Sequence, residues 1–438
     1  MMLKYEKYKD SGIVWLDDIP EHWGASRLKD YSTKIQTGTT PKTSVLKYWE
    51  NEDYNWFTPS DFTSSLSLVD SDRKINAIAI QENAARLFYK DSVLIIGIAS
   101  VGKVGILAAD SSANQQINSI TFDRRVIPLF GAYFLKIYED EIVKFANYSI
   151  VPIFNQTETG CLKFVAPPIP EQTAIVNYLD PKIAKLDKLI KNKEDQIARL
   201  NKIRQIEINT AVTKGLNPNV KMKNSGIEWI GEIPEHWDVI RLKGNTYIKG
   251  RIGWQNLRTD EFIDDGPFCI TGTDFQDGLV NWDTCYHVSE ERYNVDVNIQ
   301  LRKNDLLITK DGTIGKTALI DELLGKATLN SGIMVIRPLI KAYHTRFFYW
   351  ILNSEVFTQY NEYTKTGTTI LHLYQNVFER FKFPVPLVPE QTAIANYLGQ
   401  KTAKLDKIIR NIEDQIEKLN KIRKIEIYNA VTGKIKVV

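Results

Sequence analysis

The sequence predicts a mixed α/β protein in which two globular domains alternate with two long helices. Residues 170–213 and 389–432 are identical at 32 of 44 aligned positions. A second repeat, SGIVWLDDIPEHW at 11–23 and SGIEWIGEIPEHW at 225–237, opens each half of the chain. The stretches between the repeats have diverged much further. One duplicated frame therefore carries two unlike inserts.

The repeats divide the 438 residues into four segments. Their period is far longer than the roughly 20–50 residues of a solenoid unit, so the chain is a whole-domain duplication. We expect a first globular domain over 1–168, a long helix with a short linker over 169–215, a second globular domain over 216–387, and a second long helix over 388–438.

Each closing segment predicts a helix that begins at a proline followed by Glu171 or Glu390, because proline and an acid are favoured in the first helical turn. Apolar residues then recur at alternating intervals of four and three, as in a coiled-coil seam. The seam comprises Leu179, Ile183, Leu186, Ile190, Ile197 and Leu200 in the first helix, and Leu398, Leu405, Ile409, Ile412, Ile416 and Leu419 in the second. Either each helix packs on a globular core, or the two pair as an antiparallel coiled coil with pseudo-two-fold symmetry.

The inserts predict mixed α/β structure. Residues 93–96 and 306–309 are short, β-branched, apolar runs followed by glycine turns, which is typical of buried strands. Residues 54–62 and 268–275 align at the same offset and predict a strand followed by a turn. Short amphipathic helices are predicted over 133–145 and 347–357.

Composition narrows the class of protein. Hydrophobic residues make up 43% and charged residues 25%, which is ordinary for a soluble globular chain. No apolar run approaches the length of a membrane span, and the first residues lack a signal-peptide core. The three cysteines form no CxxC pair, which favours a reducing cytoplasm. A net charge of +3 does not by itself indicate nucleic acid, so any basic surface must be local.

Catalytic motifs are missing from the sequence. Gly312, Gly315, Lys316 and Thr317 suggest a phosphate loop, but Lys310 occupies the position where that loop needs a glycine. The five histidines are scattered without metal-ligand spacing, and no methyltransferase tetrapeptide of the Asn-Pro-Pro-Tyr type occurs. We therefore expect a binding protein that is not an enzyme and holds no cofactor or metal of its own.

The repeated frame resembles the specificity subunits of type I restriction–modification systems over essentially the full chain. The residues that carry the resemblance are Gly12-Ile13, Trp15, Ile19-Pro20 and His22-Trp23 with their copies at Gly226-Ile227, Trp229, Ile233-Pro234 and His236-Trp237; Thr39-Thr40-Pro41, Tyr48-Trp49, Trp56, Thr58 and Asp61; and Gly250-Arg251-Ile252-Gly253-Trp254. The strongest signal is Pro-Glu-Gln followed by the long helix, which occurs twice.

The resemblance implies two target-recognition domains, each of which reads one half of an asymmetric, split site on double-stranded DNA. It implies that two methyltransferase subunits dock on the helices and that motor-nuclease subunits join for restriction. The methyl donor, ATP and magnesium would then belong to those partners. The helices would set the length of the unread spacer between the half-sites.

Polar residues on loops after strands are the candidates for DNA contact, because base edges are read by hydrogen bonds. In the first insert these are Thr39, Thr40, Lys42, Thr58, Ser60, Asp61 and Gln115, with Lys103 on a phosphate. In the second they are Arg251, Trp254, Gln255, Thr271, Thr273, Asp274, Lys310 and Lys316. Asn114 and Gln116 also have side chains that suit adenine. The alternative for each is a solvated or capping turn residue.

Three other functions stay open at this point. A coiled-coil adaptor would bind proteins only, although the polar and basic insert loops argue against it. A self-contained nuclease or methyltransferase would need the motifs that are missing. A specificity subunit of a related system, whose partner fuses methylase and nuclease, would share all the features above.

Overall fold

The computed structural model describes residues 3–98, 100–139, 141, 154–251, 257–339, 342–364 and 372–437. Its chain forms two compact units. The first comprises residues 1–195 and 412–438, and the second comprises residues 196–411. Each unit therefore contains one globular domain and parts of both long helices.

The first unit is built around a five-stranded sheet of order β4-β11-β8-β9-β6. A smaller sheet of order β10-β5-β7 lies at its edge. The strands are β1 Tyr8–Lys9, β2 Ile19–Pro20, β3 Gly24–Arg27, β4 Ser32–Thr37, β5 Tyr54–Phe57, β6 Ser67–Leu68, β7 Lys74–Ile75, β8 Val93–Ile96, β9 Val104–Leu107, β10 Ser112–Ala113, β11 Ile117–Phe122 and β12 Lys163–Ala166. The helices are α1 Ala77–Gln81, α2 Pro128–Lys136, α3 Gln156–Cys161 and α4 Ile169–Lys214, the last of which continues into the second unit.

The second unit contains a six-stranded sheet of order β16-β24-β21-β22-β19-β18 and a smaller sheet of order β20-β17-β23. Its strands are β13 Met222–Asn224, β14 Glu232–Pro234, β15 Asp238–Arg241, β16 Thr246–Gly250, β17 Phe262–Ile270, β18 Phe275–Gln276, β19 Leu279–Val280, β20 Tyr286–Val288, β21 Leu306–Thr309, β22 Thr317–Leu319, β23 Ala327–Leu329, β24 Ile333–Pro338 and β25 Lys382–Val385. Its helices are α5 Glu290–Asn294, α6 Thr345–Leu352, α7 Glu355–Thr364, α8 Gln375–Phe378 and α9 Val388–Val431, which continues into the first unit.

The first five strands of the larger sheets follow the same order in both units, so the mixed α/β prediction and the duplication are confirmed at the level of topology. The two predicted buried strands are β8 and β21, and every residue in both is buried. Strands covered on both faces read as continuous apolar runs without alternation. The apolar runs at 93–96 and 306–309 therefore mark a buried central strand of the larger sheet in each unit.

The predicted short helices are only partly correct. In the first unit the helix begins earlier, at Pro128, and residues 140 and 142–153 of that region lie outside the described residues. In the second unit the single helix predicted over 347–357 is wrong, because α6 and α7 are separate. The Ser354 hydroxyl donates to the carbonyl of Ile351 at 2.7 Å, and the Glu355 amide donates to Asn209 Oδ1 at 2.8 Å. These bonds end one helix and begin the next.

The long helices run antiparallel, as the contacts within each unit show. In the first unit Asp187 accepts from Arg423 at 2.8 Å, and Glu426 accepts from Lys182 at 3.1 Å. Residues further along α4 thus meet residues earlier in α9. All twelve predicted seam residues are buried or half-buried.

The second unit repeats these contacts with the roles of the helices exchanged. Asp406 accepts from Arg204 at 3.1 Å, and Glu207 accepts from Lys401 at 3.1 Å. Each of these residues is the counterpart, 219 positions away, of a residue in the first set. The antiparallel coiled coil is therefore built twice from one set of side chains.

The ends of the helices also enter the domain cores, so both packing arrangements left open by the sequence occur together. In the first unit Leu179, Ile427 and Val431 are buried in one apolar cluster with Trp23 and Phe134. In the second unit Ile208, Val212 and Leu398 are buried with Trp237 and Phe348. The seam and the domain core are continuous in each unit.

The repeated Pro-Glu-Gln motif ties the start of each helix to its domain. Gln172 is fully buried, accepts from the amide of Ile127 at 2.8 Å and donates to the carbonyl of Arg125 at 2.8 Å. Gln391 accepts from the amide of His344 at 2.7 Å in the same way. The glutamine side chain thus supplies hydrogen bonds to backbone groups that lie beyond the end of a strand and have no strand partner there.

The glutamate of this motif collects donors from the opening repeat. Glu171 accepts from His22 at 2.6 Å, Trp23 Nε1 at 3.1 Å and the Tyr5 hydroxyl at 2.7 Å. Burial alone would raise the pKa of Glu171, but these hydrogen bonds outweigh it, and the pKa lies below its ordinary value. In the second unit Glu390 accepts from His236 at 2.9 Å, whereas the buried Trp237 Nε1 has no hydrogen-bond partner among the described residues.

We predict that Glu171→Gln weakens the start of α4 by about 1–3 kcal/mol near neutral pH, because the amide cannot serve three donors as the carboxylate does. A carboxyl whose pKa is lowered by folding stabilises above its ordinary pKa of 4.5 and loses that contribution as the pH falls through the lowered value. The difference between wild type and variant should therefore shrink below about pH 4.5. Hydrogen exchange of amides 172–179 measures it.

Glu390→Gln is the matched control for this prediction. Glu390 serves fewer donors, so its replacement should loosen the amides at the start of α9 less than Glu171→Gln loosens those of α4. Equal losses at both helix starts, or a Glu171→Gln effect that persists unchanged at acid pH, would contradict the role assigned to the carboxylate.

Candidate nucleic-acid interface

Two of the predicted segments form the same turn in both units. Thr58 begins a short helix in the first, and its amide and hydroxyl donate to Asp61 at 2.6 and 2.7 Å. Thr271 bonds Asp274 in the same way at 2.7 and 2.9 Å. This reciprocal arrangement is a capping box, which satisfies the free amides at a helix start. The acids hold the turn together.

The hydroxyl groups on these turns remain at the surface. Ser60 and Thr273 are exposed and lie 2.7 and 2.6 Å from the threonine that opens their turn. Asp274, in contrast, is 1% exposed and also accepts from Thr284 at 3.0 Å. The carboxylate of Asp274 is therefore enclosed and bonded within the turn in this conformation, and its contact with DNA stays a prediction.

The predicted loop at Thr39–Lys42 is pinned by its neighbours. Trp56 Nε1 donates to the carbonyl of Thr39 at 3.0 Å, and Trp49 Nε1 donates to the carbonyl of Lys42 at 3.3 Å. The guanidinium of Arg73 lies 3.9 Å from the ring centre of Trp49. The side chains of Thr40 and Lys42 remain exposed. The loop is a rigid support that presents them to solvent.

The sequence did not indicate that Arg86 belongs to this site. Its side chain donates to the carbonyl of Thr37 at 2.6 Å, and its amide donates to the Thr39 hydroxyl at 3.0 Å. Arg86 lies outside every motif, and its contact depends on a chain reversal that no local pattern marks. The motifs of the sequence include Trp49 and Trp56, but they do not indicate that these side chains hold the loop at Thr39–Lys42.

The two lysines that follow the repeated glycine turn, Lys103 and Lys316, have different surroundings. Lys103 follows β8 and is half-buried, lining a cavity of about 760 Å³ with Trp15, Phe62, Lys136 and Arg423. Lys316 follows β21, is exposed, and its Nζ donates to the carbonyl of Gly272 at 3.3 Å. The structure therefore brings Lys316 next to the turn that carries Thr271 and Thr273.

Lys310 is half-buried at the end of β21, and its amide donates to the carbonyl of Gly332 at 2.8 Å. Thr309 beside it lies close to Gly272. The predicted loops of the second unit therefore meet at the C-terminal end of β21, a central strand of the larger sheet. Thr273, Lys310 and Lys316 are the predicted residues brought together there. Trp254 and Gln255 lie outside the described residues.

Arg251 lies in the interior of the second unit. Its side chain is buried, with Nε donating to the carbonyl of Leu329 at 2.8 Å and Nη2 to the Thr328 hydroxyl at 3.2 Å. Burial lowers the pKa of this guanidinium. The strands around Arg251 enclose its guanidinium in this conformation, and its contact with a base stays a prediction.

Within the described residues, histidine, cysteine and acidic side chains form no group that could hold a metal ion. The helices in those same ranges are also too polar or too short to span a membrane. The arrangement suits contact with a polar ligand through exposed hydroxyl, amide and ammonium groups on rigid turns.

Comparison with known proteins agrees with this arrangement. The MjaVIII specificity subunit of a type I restriction enzyme from Methanocaldococcus jannaschii is 26% identical over 446 residues, covering 100% of this chain and 99% of the relative. The EcoBI specificity subunit from Escherichia coli is 25% identical over 282 residues, covering 61% of this chain and 57% of the relative.

A solved structure described as the basis of complex assembly and conformational transition of the type I R-M system has the same fold, with a TM-score of 0.65 at 14% identity, covering 95% of this chain and 99% of the other. The family model for the type I restriction modification DNA specificity domain matches residues 20–199 and again 234–418. The chain belongs to the family of type I restriction–modification DNA specificity domains, and carries that domain twice.

Proposed function

We propose that this chain is the DNA-reading subunit of a type I restriction–modification complex. Each globular domain reads one half of an asymmetric, bipartite site and directs adenine methylation or restriction by partner subunits. The proposal is carried by a turn that occurs in both globular domains with the same internal bonds but with different exposed side chains at matching positions. The capping turns of the two units share the same threonine–aspartate bonds, yet one presents Ser60 and the other Thr273.

The catalytic steps belong to partner subunits in this proposal. The chain supplies binding and positioning, and its partners supply methyl transfer, ATP hydrolysis and DNA cleavage. Its place of action is the cytoplasm, where cellular DNA and the partner subunits are found.

Mapping of methylated adenines tests the function directly. The chain is co-expressed with its methyltransferase partner in a host that lacks adenine methylation, and the genome is sequenced for modified bases. We expect one asymmetric motif of two short half-sites with an unread spacer. The methyltransferase alone is the control and should give no such motif. A palindromic motif, or the same motif without this chain, would refute the proposal.

Lys316→Ala and Thr273→Ala separate positioning contacts from reading contacts within one turn. Loss of a phosphate contact should weaken all DNA sequences equally and reduce the slope of log K against log salt by about 0.9. Loss of the Thr273 hydroxyl should weaken only DNA that carries the cognate second half-site. Binding of the purified complex is titrated from low to high salt with cognate and scrambled duplexes. A Lys316→Ala effect confined to one half-site would contradict the phosphate assignment.

We infer the docking surfaces for partner subunits from apolar side chains that remain exposed at matching places in the two units. In the first unit these are Leu189, Ile422 and Ile425, and in the second unit Ile408, Ile203 and Ile206. Each is at least 40% exposed. Exposed apolar residues clustered on an ordered surface mark interaction sites.

Heptad positions bring the members of each set together. Leu189 directly precedes the seam residue Ile190, and Ile422 directly precedes Arg423. Ile190 and Arg423 occupy equivalent heptad positions of the seam. In an antiparallel pair, the residues directly before equivalent seam positions lie on the same side of the helix pair, which is called the apolar flank below. Asp187 bonds Arg423, so Leu189 and Ile422 also lie at the same level along the pair. One apolar patch results in each unit.

The same heptad spacing places basic residues on the apolar flank. In the first unit it includes Lys185 on α4 and Lys418 on α9, and in the second unit Lys404 and Arg199. The opposite flank faces the domain, where Asp180, Ala184 and Asp187 line a groove beneath the larger sheet of the first unit. We assign each apolar, basic flank to one methyltransferase subunit with an acidic rim, which makes two per chain.

Replacing Ile422 and Ile425 together by glutamate should remove one of the two methyltransferase subunits, because buried carboxylates on an apolar contact are costly. The equivalent change of Ile203 and Ile206 should remove the other. Native mass spectrometry measures the stoichiometry, with Lys407→Glu on the outward face of α9 as the control. Retention of two subunits by both double variants would contradict this docking surface.

A further inference from the structure

Three neighbouring side chains connect β10 to β11, and each is chemically suited to adenine. The structure leaves only one of them available. Asn114 is 8% exposed, and its Nδ2 donates to Gln116 Oε1 at 2.9 Å. The Gln116 amide donates back to Asn114 Oδ1 at 3.0 Å. Asn114 and Gln116 therefore hold the turn, and Gln115 between them is exposed.

The backbone beneath Gln115 is tightly fixed. The amide of Asn114 donates to the carbonyl of Phe57 at 2.9 Å, and the amide of Thr39 donates to the carbonyl of Ala113 at 2.9 Å. A Cβ on Gly38 would lie 2.2 Å from the carbonyl oxygen of Asn114, so the two loops approach as closely as backbone allows. A side chain on this support has a defined starting position.

Thr40 then orients the amide of Gln115 from the facing loop. The Thr40 hydroxyl donates to Gln115 Oε1, and both side chains are exposed. In this arrangement Oε1 is the amide atom that faces Thr40, and Nε2 points away from it. Both Nε2 hydrogens and one lone pair of Oε1 stay free to bond a ligand. One donor beside one acceptor matches N7 and the N6 amino group of adenine in the major groove.

The second unit has the same support with a different residue on it. Asn330 donates from its amide to the carbonyl of Ile270 at 2.9 Å, as Asn114 does to Phe57. The strand pairings β10–β5 and β23–β17 then place Ser331 where Gln115 lies in the first unit. A retained support with a changed side chain is expected of a position that carries sequence information.

We propose that Gln115, oriented by Thr40, reads one adenine of the first half-site. Thr40 is a positioning residue in this arrangement, and Gln115 makes the base contact. The inference rests on the proposed function, since it requires that the first domain reads DNA.

The test measures base preference at every position of the site, using the complex of full-length chain and methyltransferase. Wild type and variants compete for duplexes that carry each of the four bases at each position. Gln115→Ala should lower the preference for adenine at one position of the first half-site by about 5-fold to 150-fold, the range for one bidentate contact. Gln115→Glu should shift the preference there to cytosine, whose N4 amino group donates to a carboxylate.

The Thr40 variants separate positioning from structural support. Thr40→Val keeps the shape but loses the hydroxyl, and it should relax the same single position. Thr40→Ser restores the donor and should restore the preference. Phe130→Leu, a core substitution on α2 outside this loop, is the control for general loss of stability. It should lower the melting temperature while leaving every base preference unchanged.

The outcomes distinguish this inference from the function on which it rests. A wild-type complex without a bipartite site would refute the proposed function. A wild-type bipartite site with unchanged preferences in Gln115→Ala would overturn the role of Gln115 alone. So would a change in the second half-site, or an equal loss of affinity for all four bases.

Discussion

The structure depends on the charged pairs that interrupt the apolar seam of the long helices. Continuing the seam by its own spacing leads from Leu200 to Arg204 and Glu207, and from Leu419 to Arg423 and Glu426. A seam that repeats every seven residues tolerates a slip of one heptad, because apolar side chains meet apolar side chains again. Arg423 is 9% exposed, and a slip would leave it buried without Asp187. An arginine buried without its acid is destabilising, so the Arg423–Asp187 pair favours one register.

That register determines what the helices can offer to each domain. In each unit one flank of the pair carries the acids that bond the seam arginines, and it lies against the domain. The other flank carries lysines and exposed isoleucines. Because both units use the same side chains for these contacts, the duplicated helices keep the same seam and outer flank, whereas the inserts differ. The identity of 32 in 44 positions reflects two constraints on one helix, the seam and the outer flank.

Sequence patterns predicted those parts of the molecule whose energy comes from local periodicity and burial. The seam residues, the strands β8 and β21 and the helix starts at the Pro-Glu-Gln motifs all repeat or run continuously apolar, and the structure has them where the patterns indicate. The break between α6 and α7 could not be predicted in this way. It depends on Ser354 bonding its own turn and on Asn209 reaching Glu355 from a distant part of the chain.

The candidate interface was harder to predict, because polar residues on turns have two competing uses. Asp61 and Asp274 occupy the third position after a threonine, and there the capping box uses the carboxylate. Arg251 belongs to a motif rich in glycine, yet its side chain is buried. By strand pairing it follows β16 at the position where the buried Gly38 follows β4 in the first unit. Only the three-dimensional contacts show which side chains use their hydrogen-bonding groups to hold the fold together. Gln115, Ser60 and Thr273 each make one bond to a neighbour yet stay exposed, with hydrogen-bonding capacity left over. A rigid surface with such capacity at its edge is what selective reading of base edges requires.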